Sequence, residues 1–252
     1  MTSHQLAGAI HWPVAPARLQ LEKTGAHVWA ASLHTAPTVL TSLARTLSEA
    51  EQERAARFKF EPGRKRFIAG RGLLRAILGR YLQTGPAELK FVYGPHGKPA
   101  LSAEFAGAEI HFNLAHSDDL ALIAVTRAGA VGVDVERIRP VKDAEALVAR
   151  FFSPRESGLF QRLAADEKPP AFLTLWTRKE ALLKATGEGI TRSLSLVEVS
   201  FLPGEAARLL AIAGDAEKAA QWTLHDLSPM DGFVGAVAVH AQNINVRCWR
   251  WK

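Results

Sequence analysis

Apolar positions recur at close to helical spacing along two stretches of the chain. In the second half the line is Phe172, Leu175, Trp176, Leu182 and Leu183, which predicts a long helix opened by Pro169 and Pro170 and closed by Gly187 and Gly189. In the first half Phe67, Leu74, Ile77, Leu78 and Leu82 predict a long helix from about Arg64 to Tyr81. Each is preceded by a shorter helix with a capping-box signature, Ser48 with Glu51 and Ser153 with Glu156. Glu61-Pro62-Gly63 reads as a break between the first pair. A short helix is also expected around Asp143–Phe152. Strands are expected at His27–Leu33, Leu89–Tyr93, Glu109–Asn113, Leu120–Thr126 and Ala130–Ile138, with a loop over Leu114–Asp119. Four more are expected at Val197–Leu202, Gln221–Leu227, Val234–His240 and Asn245–Trp251.

The two halves run in step. The two capping boxes lie 105 residues apart, and Phe67 with Phe172 and Arg75 with Glu180 keep that offset; the opening strands are displaced by about 103. The expected fold is therefore α+β: two similar lobes, 1–128 and 129–252, related by pseudo-two-fold symmetry. Each is a small antiparallel sheet packed against a long helix. A cleft between them would face Arg71 and Arg75 from one long helix and Glu180 and Lys184 from the other, a favoured place for a ligand.

Composition narrows the function. The chain has 252 residues, 48% hydrophobic and 22% charged, an ordinary soluble balance. No apolar run approaches the roughly 20 residues of a membrane span, and no secretory leader pattern is evident. The lone Cys248 cannot form an internal disulfide, which fits a reducing, cytoplasmic setting. The net charge of +6 points to an anionic partner. From Arg54 to Arg80 nine basic residues face the single acid Glu61. This excess reads as a solvated helix face, as a nucleic-acid surface, or as phosphate recognition combined with docking of an acidic protein.

Two stretches carry candidate chemistry. In Gly132-Val133-Asp134-Val135-Glu136, a strand would put Asp134 and Glu136 on one face. Two neighbouring carboxylates repel unless a cation lies between them, and such oxygen donors suit Mg²⁺ with a phosphate-bearing substrate. The plain alternative is a strand end whose acids pair with Arg137 and Arg139. In Trp176–Thr186, Trp176, Glu180 and Lys184 stand four apart on one helical line. An ordinary exposed ion pair is the plain alternative there, and Glu180 becomes a third carboxylate if this helix crosses the strand.

Together GVDVE and WTRKEALLK resemble the two signature motifs of the 4′-phosphopantetheinyl transferase superfamily. The matching residues are Gly132, Asp134, Glu136, Trp176, Lys179, Glu180, Ala181 and Lys184. His96-Gly97-Lys98-Pro99 and Phe112-Asn113-Leu114-Ala115-His116-Ser117 are similar to two further motifs of its longer, monomeric branch, typified by the transferase that activates surfactin synthetase. The resemblance runs from about Arg54 to Gly189. It implies transfer of 4′-phosphopantetheine from coenzyme A to a serine of an acidic acyl or peptidyl carrier protein, with release of adenosine 3′,5′-bisphosphate. It implies Mg²⁺ on Asp134, Glu136 and Glu180. It makes Glu180 and Lys184 catalytic, with Glu180 a metal ligand, a general base or both. It assigns coenzyme A contacts to Arg54, Arg66, Lys98, Pro99, His116, Asp134, Lys179 and Lys184. Lys179 stands off the Glu180–Lys184 line. Two departures stand out: Ala115 replaces the usual serine, and Glu51 stands where one branch member has lysine. Nucleic-acid binding would leave the three acids unexplained. A non-catalytic carrier-binding relative is unsupported, since no metal or lysine position is substituted. Neither nucleic acid nor membrane is an expected partner, and fatty-acid, polyketide and peptide-synthetase carriers all fit.

Overall fold

The computed structural model describes residues 10–187 and 194–252. Gly189, one of the two glycines expected to close the second long helix, lies outside them. The chain forms β1 (Gly25–Ser32), α1 (Pro37–Ala44), α2 (Glu49–Ala56), α3 (Glu61–Leu82), β2 (Phe91–Tyr93), β3 (Pro99–Leu101), β4 (His111–Ser117) and β5 (Leu120–Thr126). It continues through β6 (Val131–Arg137), α4 (Ala144–Phe151), α5 (Pro154–Gln161), α6 (Lys168–Thr186), β7 (Val197–Val199) and β8 (Leu209–Ile212). It ends with α7 (Ala216–Ala220), β9 (Thr223–Leu227), β10 (Phe233–Val239) and β11 (Asn245–Arg250). The fold is mixed α+β, as expected. No helix of the described residues is long and apolar enough to cross a membrane.

A four-stranded sheet has the order β11-β1-β5-β4 and a three-stranded sheet the order β6-β10-β9; β2-β3 and β7-β8 form two small hairpins. The pairing scheme recurs between halves. β1 pairs antiparallel with β5, which pairs with β4; β6 pairs antiparallel with β10, which pairs with β9. The last strand crosses over: β11 pairs parallel with β1, tying the C-terminal segment to the first sheet.

Strand alternation decides how the layers stack. In β1, Val28 and Ala30 join Leu122, Val133, Val135 and Val237 in a core shared by both sheets. Trp29 and Ala31 point the other way, against Leu73, Leu74, Ile77 and Leu78 of α3. In β10, Ala236 and Ala238 meet Phe172, Leu175 and Leu182 of α6. The order is therefore α3, first sheet, second sheet, α6.

Some boundaries differ from the sequence reading. Glu61-Pro62-Gly63 is the first turn of α3, not a break: proline is at home in a helix's first turn, and Glu61 there pairs with Lys65 at 2.8 Å. The expected loop over Leu114–Asp119 is mostly strand. β4 pairs with β5 through Ser117 opposite Leu120, leaving a tight turn at Asp118, whose φ is 49°.

Both capping boxes form, and each glutamate does a second job. Glu51 Oε2 accepts from the Ser48 amide at 3.1 Å and from Arg75 Nε at 2.7 Å. Glu156 Oε2 accepts from the Ser153 amide at 3.0 Å and from Lys179 Nζ at 2.5 Å. Each short helix is thus bolted to the long helix of its half through a buried charge pair.

At Gly132, β6 and α6 meet backbone to backbone. A β-carbon there would lie 2.0 Å from the Ala181 carbonyl oxygen and 2.4 Å from the Ala185 amide nitrogen, both fixed backbone of α6. Under the first sheet, Trp29 Nε1 donates to the Tyr81 hydroxyl at 2.9 Å, and His27 Nδ1 lies 2.8 Å from the same oxygen. An indole only donates, so the Tyr81 hydroxyl accepts from Trp29 and keeps its own hydrogen to donate to an unprotonated His27 Nδ1. Burial, then the charge of Arg247, pushes the His27 pKa down to about 4.

Three outcomes are expected. Gly132→Ala lowers stability by about 3 kcal/mol or more, at the top of the usual overpacking range because the obstacle is backbone; chemical denaturation measures it. Lys179→Met costs about 3–5 kcal/mol by leaving Glu156 buried and unpaired. Between pH 6.5 and 4 the unfolded chain binds a proton that folded His27 refuses. Stability therefore falls as pH drops through that window, and His27→Gln flattens the slope in pH-dependent thermal melts.

Candidate active site

β6 and α6 build one wall of a cleft. Val131, Val133 and Val135 bury into the shared core, which turns Gly132, Asp134 and Glu136 toward α6. With no side chain at Gly132, the helix lies directly on the strand and Glu180 and Lys184 come over Asp134. Lys184 Nζ donates to Asp134 Oδ1 at 2.5 Å. Asp134 Oδ2 and Glu180 Oε1 are buried and accept no hydrogen bond among the described residues.

Burial pushes the Asp134 carboxyl up to about 6, against the pull of Lys184. Burial, followed by the charge of Asp134, pushes Glu180 up to about 7. Two orphaned carboxylate oxygens, with the charge of Asp134 raising the proton affinity of Glu180, are a donor set that fits a divalent cation. The third acid is held differently: Glu136 Oε2 accepts from Ser117 Oγ at 2.8 Å. Among the described residues, no group of three or more His, Cys, Asp or Glu side chains is arranged to hold a metal ion. Asp134 and Glu180 are the pair brought together, with Glu136 close enough to raise the pKa of both.

The opposite wall comes from the first half. A cavity of about 370 Å³ is lined by Arg71, His96, Gly97, Lys98, Pro99, Asn113 and Leu114 facing Glu180, Leu183, Lys184 and Gly187. His116 is lowered in pKa by burial, then by the charges of Arg66 and Lys184, so it stands between cations of the two halves. Arg66 is held by Asp119 at 2.7 Å. Arg54 is exposed, its guanidinium 5.4 Å from the centre of the Phe67 ring. A larger cavity of about 650 Å³ lies behind α6, around Thr174, Thr177 and Arg178. Among the described residues its one cation is Arg178, which is saturated by Asp226, Ser200 and the Glu205 carbonyl, so that cavity has no free cation to offer a phosphate.

Three of the sequence expectations change. Lys179 does not reach the cleft: it is fully buried on Glu156 and the Leu194 carbonyl, because one helical step turns it about 100° from Glu180. Lys98 lines the cavity, but its ammonium donates to three carbonyls, those of Val131, Lys184 and Ala185. Its three N–H groups are engaged by β6 and by the C-terminal end of α6. Arg75 is also committed, to Glu51 and the carbonyls of Pro86 and Leu89. The Glu51 departure thereby has a physical reason: this glutamate anchors α3 and is 2% exposed.

Two positioning residues were within a recognised motif but not singled out. Asn113 Oδ1 accepts from the Val133 amide at 3.0 Å, and Ser117 Oγ accepts from the Arg137 amide at 3.2 Å while donating to Glu136. They lash β4 to β6 and hold the two walls in register. Alternation along β4 would have signalled them had the segment been read as strand.

Comparisons with known proteins agree with this geometry. Residues 130–238 match the model of the 4′-phosphopantetheinyl transferase superfamily, and residues 29–128 match 4′-phosphopantetheinyl transferase, N-terminal. The chain is 42% identical over 240 residues to 4′-phosphopantetheinyl transferase HetI of Nostoc sp., covering 95% of this chain and 98% of that protein. It is 32% identical over 196 residues to a phosphopantetheinyl transferase of Thraustochytrium sp., covering 73% and 67%. To 4′-phosphopantetheinyl transferase psf-1 of Bacillus pumilus it is 35% identical over 141 residues, covering 56% and 58%. With both walls of the cleft inside the matched segments, the chain belongs to the 4′-phosphopantetheinyl transferase superfamily and is an enzyme of that kind.

Proposed function

We propose that this enzyme takes 4′-phosphopantetheine from coenzyme A and places it on a serine hydroxyl of an acidic acyl or peptidyl carrier protein, in the manner of the surfactin-synthetase-activating branch. The serine oxygen forms a bond to the pantetheine-bearing phosphorus, and the bond from that phosphorus to the bridging pyrophosphate oxygen breaks. Adenosine 3′,5′-bisphosphate leaves with that oxygen. The observation that carries this reading is Lys184 clamped on Asp134 beside an orphaned, proton-avid Glu180, in a cleft walled by both halves.

Asp134 and Glu180, with Glu136 beside them, would hold Mg²⁺, which supplies charge neutralisation for the pyrophosphate oxygens. Lys184 binds the same oxygens and offsets charge on the leaving group. Glu180, with its pKa pushed up to about 7, is suited to accept the serine proton. His116 and Arg66 add hydrogen-bond donors from the first half, Arg54 adds a cation at the rim, and Pro99 borders the nucleotide base. Lys98 contributes by holding the end of α6 rather than by touching phosphate. Residues 1–128 and 129–252 act as the two lobes that close on coenzyme A, with β11 as a strap across them. The basic first half attracts the acidic carrier. The working form is a cytoplasmic monomer, with no nucleic acid or membrane as partner.

Intact-mass spectrometry of an apo carrier incubated with enzyme, coenzyme A and Mg²⁺ tests this. The expected gain is one phosphopantetheine, abolished by EDTA and by Asp134→Ala. Glu180→Gln is expected to slow transfer at least about tenfold, the low end of what an acid–base group supplies. Full transfer by either variant would sink the role assigned to that carboxylate, and failure with every class of carrier would sink the function.

A further inference from the structure

The tight turn between β4 and β5 is made of three polar residues, Ser117, Asp118 and Asp119, and each reaches out of its own hairpin. Ser117 Oγ donates to Glu136 Oε2 at 2.8 Å and accepts from the Arg137 amide at 3.2 Å. Asp118 Oδ2 pairs with Arg137 Nη1 at 3.2 Å. Asp119 Oδ1 accepts from Arg66 Nε at 2.7 Å, and its carbonyl accepts from the Leu33 amide at 2.7 Å. The turn is thus fixed on two sides, to Arg66 and Leu33 of the first half and to Glu136 and Arg137 of the second. Asp118 sits at a φ of 49°, left-handed backbone that aspartate adopts more readily than most residues.

The bond to Glu136 has a consequence for the acids of the cleft. An ionised carboxylate only accepts, so the Ser117 hydroxyl gives its hydrogen to Glu136, while the Arg137 amide holds the hydroxyl oxygen from behind. Glu136 adds like charge to both Asp134 and Glu180. Among the described residues no cation pairs with it, and its one side-chain hydrogen bond is the one from Ser117, on Oε2. It is only partly buried. A glutamate with a path to water, repelled by two neighbouring acids, gains rotamer freedom and relief of repulsion by swinging out of the cleft. Ser117 opposes that swing, and it leaves Oε1 unclaimed.

Resting on the reading of Asp134, Glu136 and Glu180 as a magnesium site, we infer that Ser117 is the positioning residue for Glu136, so that a turn of the first half sets the divalent-cation affinity of carboxylates carried by the second. Groups hydrogen-bonded behind a metal ligand typically change metal affinity roughly 10–100-fold when removed. Ser117 spends its hydrogen on Glu136 and has none for a substrate, so its effect belongs in metal affinity and not in KM for the donor.

The test is Mn²⁺ binding to the full chain, followed by electron paramagnetic resonance with and without coenzyme A, for wild type, Ser117→Ala, Glu136→Ala and the double variant. Ser117→Ala is expected to weaken Mn²⁺ binding about tenfold or more. In the Glu136→Ala background the same change should alter binding by less than about twofold, because a residue that acts through another is not additive with it. Ser117→Cys, close in shape but a weak donor, should fall between wild type and Ser117→Ala. In steady-state transfer, Ser117→Ala should raise the Mg²⁺ concentration for half-maximal rate by a similar factor, with KM for coenzyme A at saturating Mg²⁺ within about threefold of wild type. A Ser117→Ala enzyme that binds Mn²⁺ like wild type, an equal loss with and without Glu136, or a variant too unstable to assay would each overturn the inference. A wild type that binds no Mn²⁺ under either condition would instead overturn the magnesium reading on which it rests.

Discussion

The contact on which the catalytic wall depends is that of one helix lying bare against one strand. At Gly132 the backbone of β6 meets the backbone of α6 with no room for a β-carbon. That approach is closer than side-chain packing between a helix and a sheet would allow. It lowers Glu180 and Lys184 onto Asp134, so an aspartate on the strand and a lysine on the helix can meet across 2.5 Å. It also explains why a buried pair of acids is tolerated. The strand cannot turn its acidic face to water without giving up Val131, Val133 and Val135 from the shared core. The lysine is the compensation available within the protein itself.

A second constraint keeps the long helices in register with the rest of each half. The glutamate of each capping box closes its own helix start and then receives a cation from the long helix, Arg75 in one half and Lys179 in the other. Both pairs are out of solvent, where leaving one partner alone is severely penalised. A local signal, serine followed by glutamate three residues later, is in this way converted into a long-range bolt. The same positions account for Lys179: a lysine adjacent to Glu180 belongs to the scaffold because a helix sends neighbours to different faces.

The cleft itself is a division of charge. On the second-half side, carboxylates outnumber the lysine, and the proton affinities of Asp134 and Glu180 rise. On the first-half side, arginines outnumber Glu51. His116, on which the charges of both Arg66 and Lys184 act, marks where the two fields meet. The walls are kept opposite each other by neutral bonds, Asn113 to the Val133 amide and Ser117 to Glu136, and by Lys98 on the carbonyl end of α6. A ligand with two separated anionic groups fits this division better than one with a single charge.

Much of this was written along the chain. Helical and alternating periodicities, two capping boxes and glycine at helix ends located the long helices and the main strands, because those signals act over a few residues. The five-residue GVDVE stretch and the four-residue steps from Trp176 to Lys184 marked the acids and the lysine for the same reason. What distance along the chain cannot encode was left to the fold. Whether α6 crosses β6 depends on a core assembled from both halves. Whether Lys98 meets phosphate or a helix end depends on where residue 184 lies when residue 98 arrives. β11 reads as any other strand until it leaves its own half to pair with β1. That Arg71 Nη1 has no hydrogen-bond partner among the described residues is visible only after Glu51 has been claimed by Arg75, Ser48 and Tyr93. Sequence by itself determined which groups could do chemistry; tertiary structure decided which were still free to do it, because a side chain's partners are set by neighbours in space.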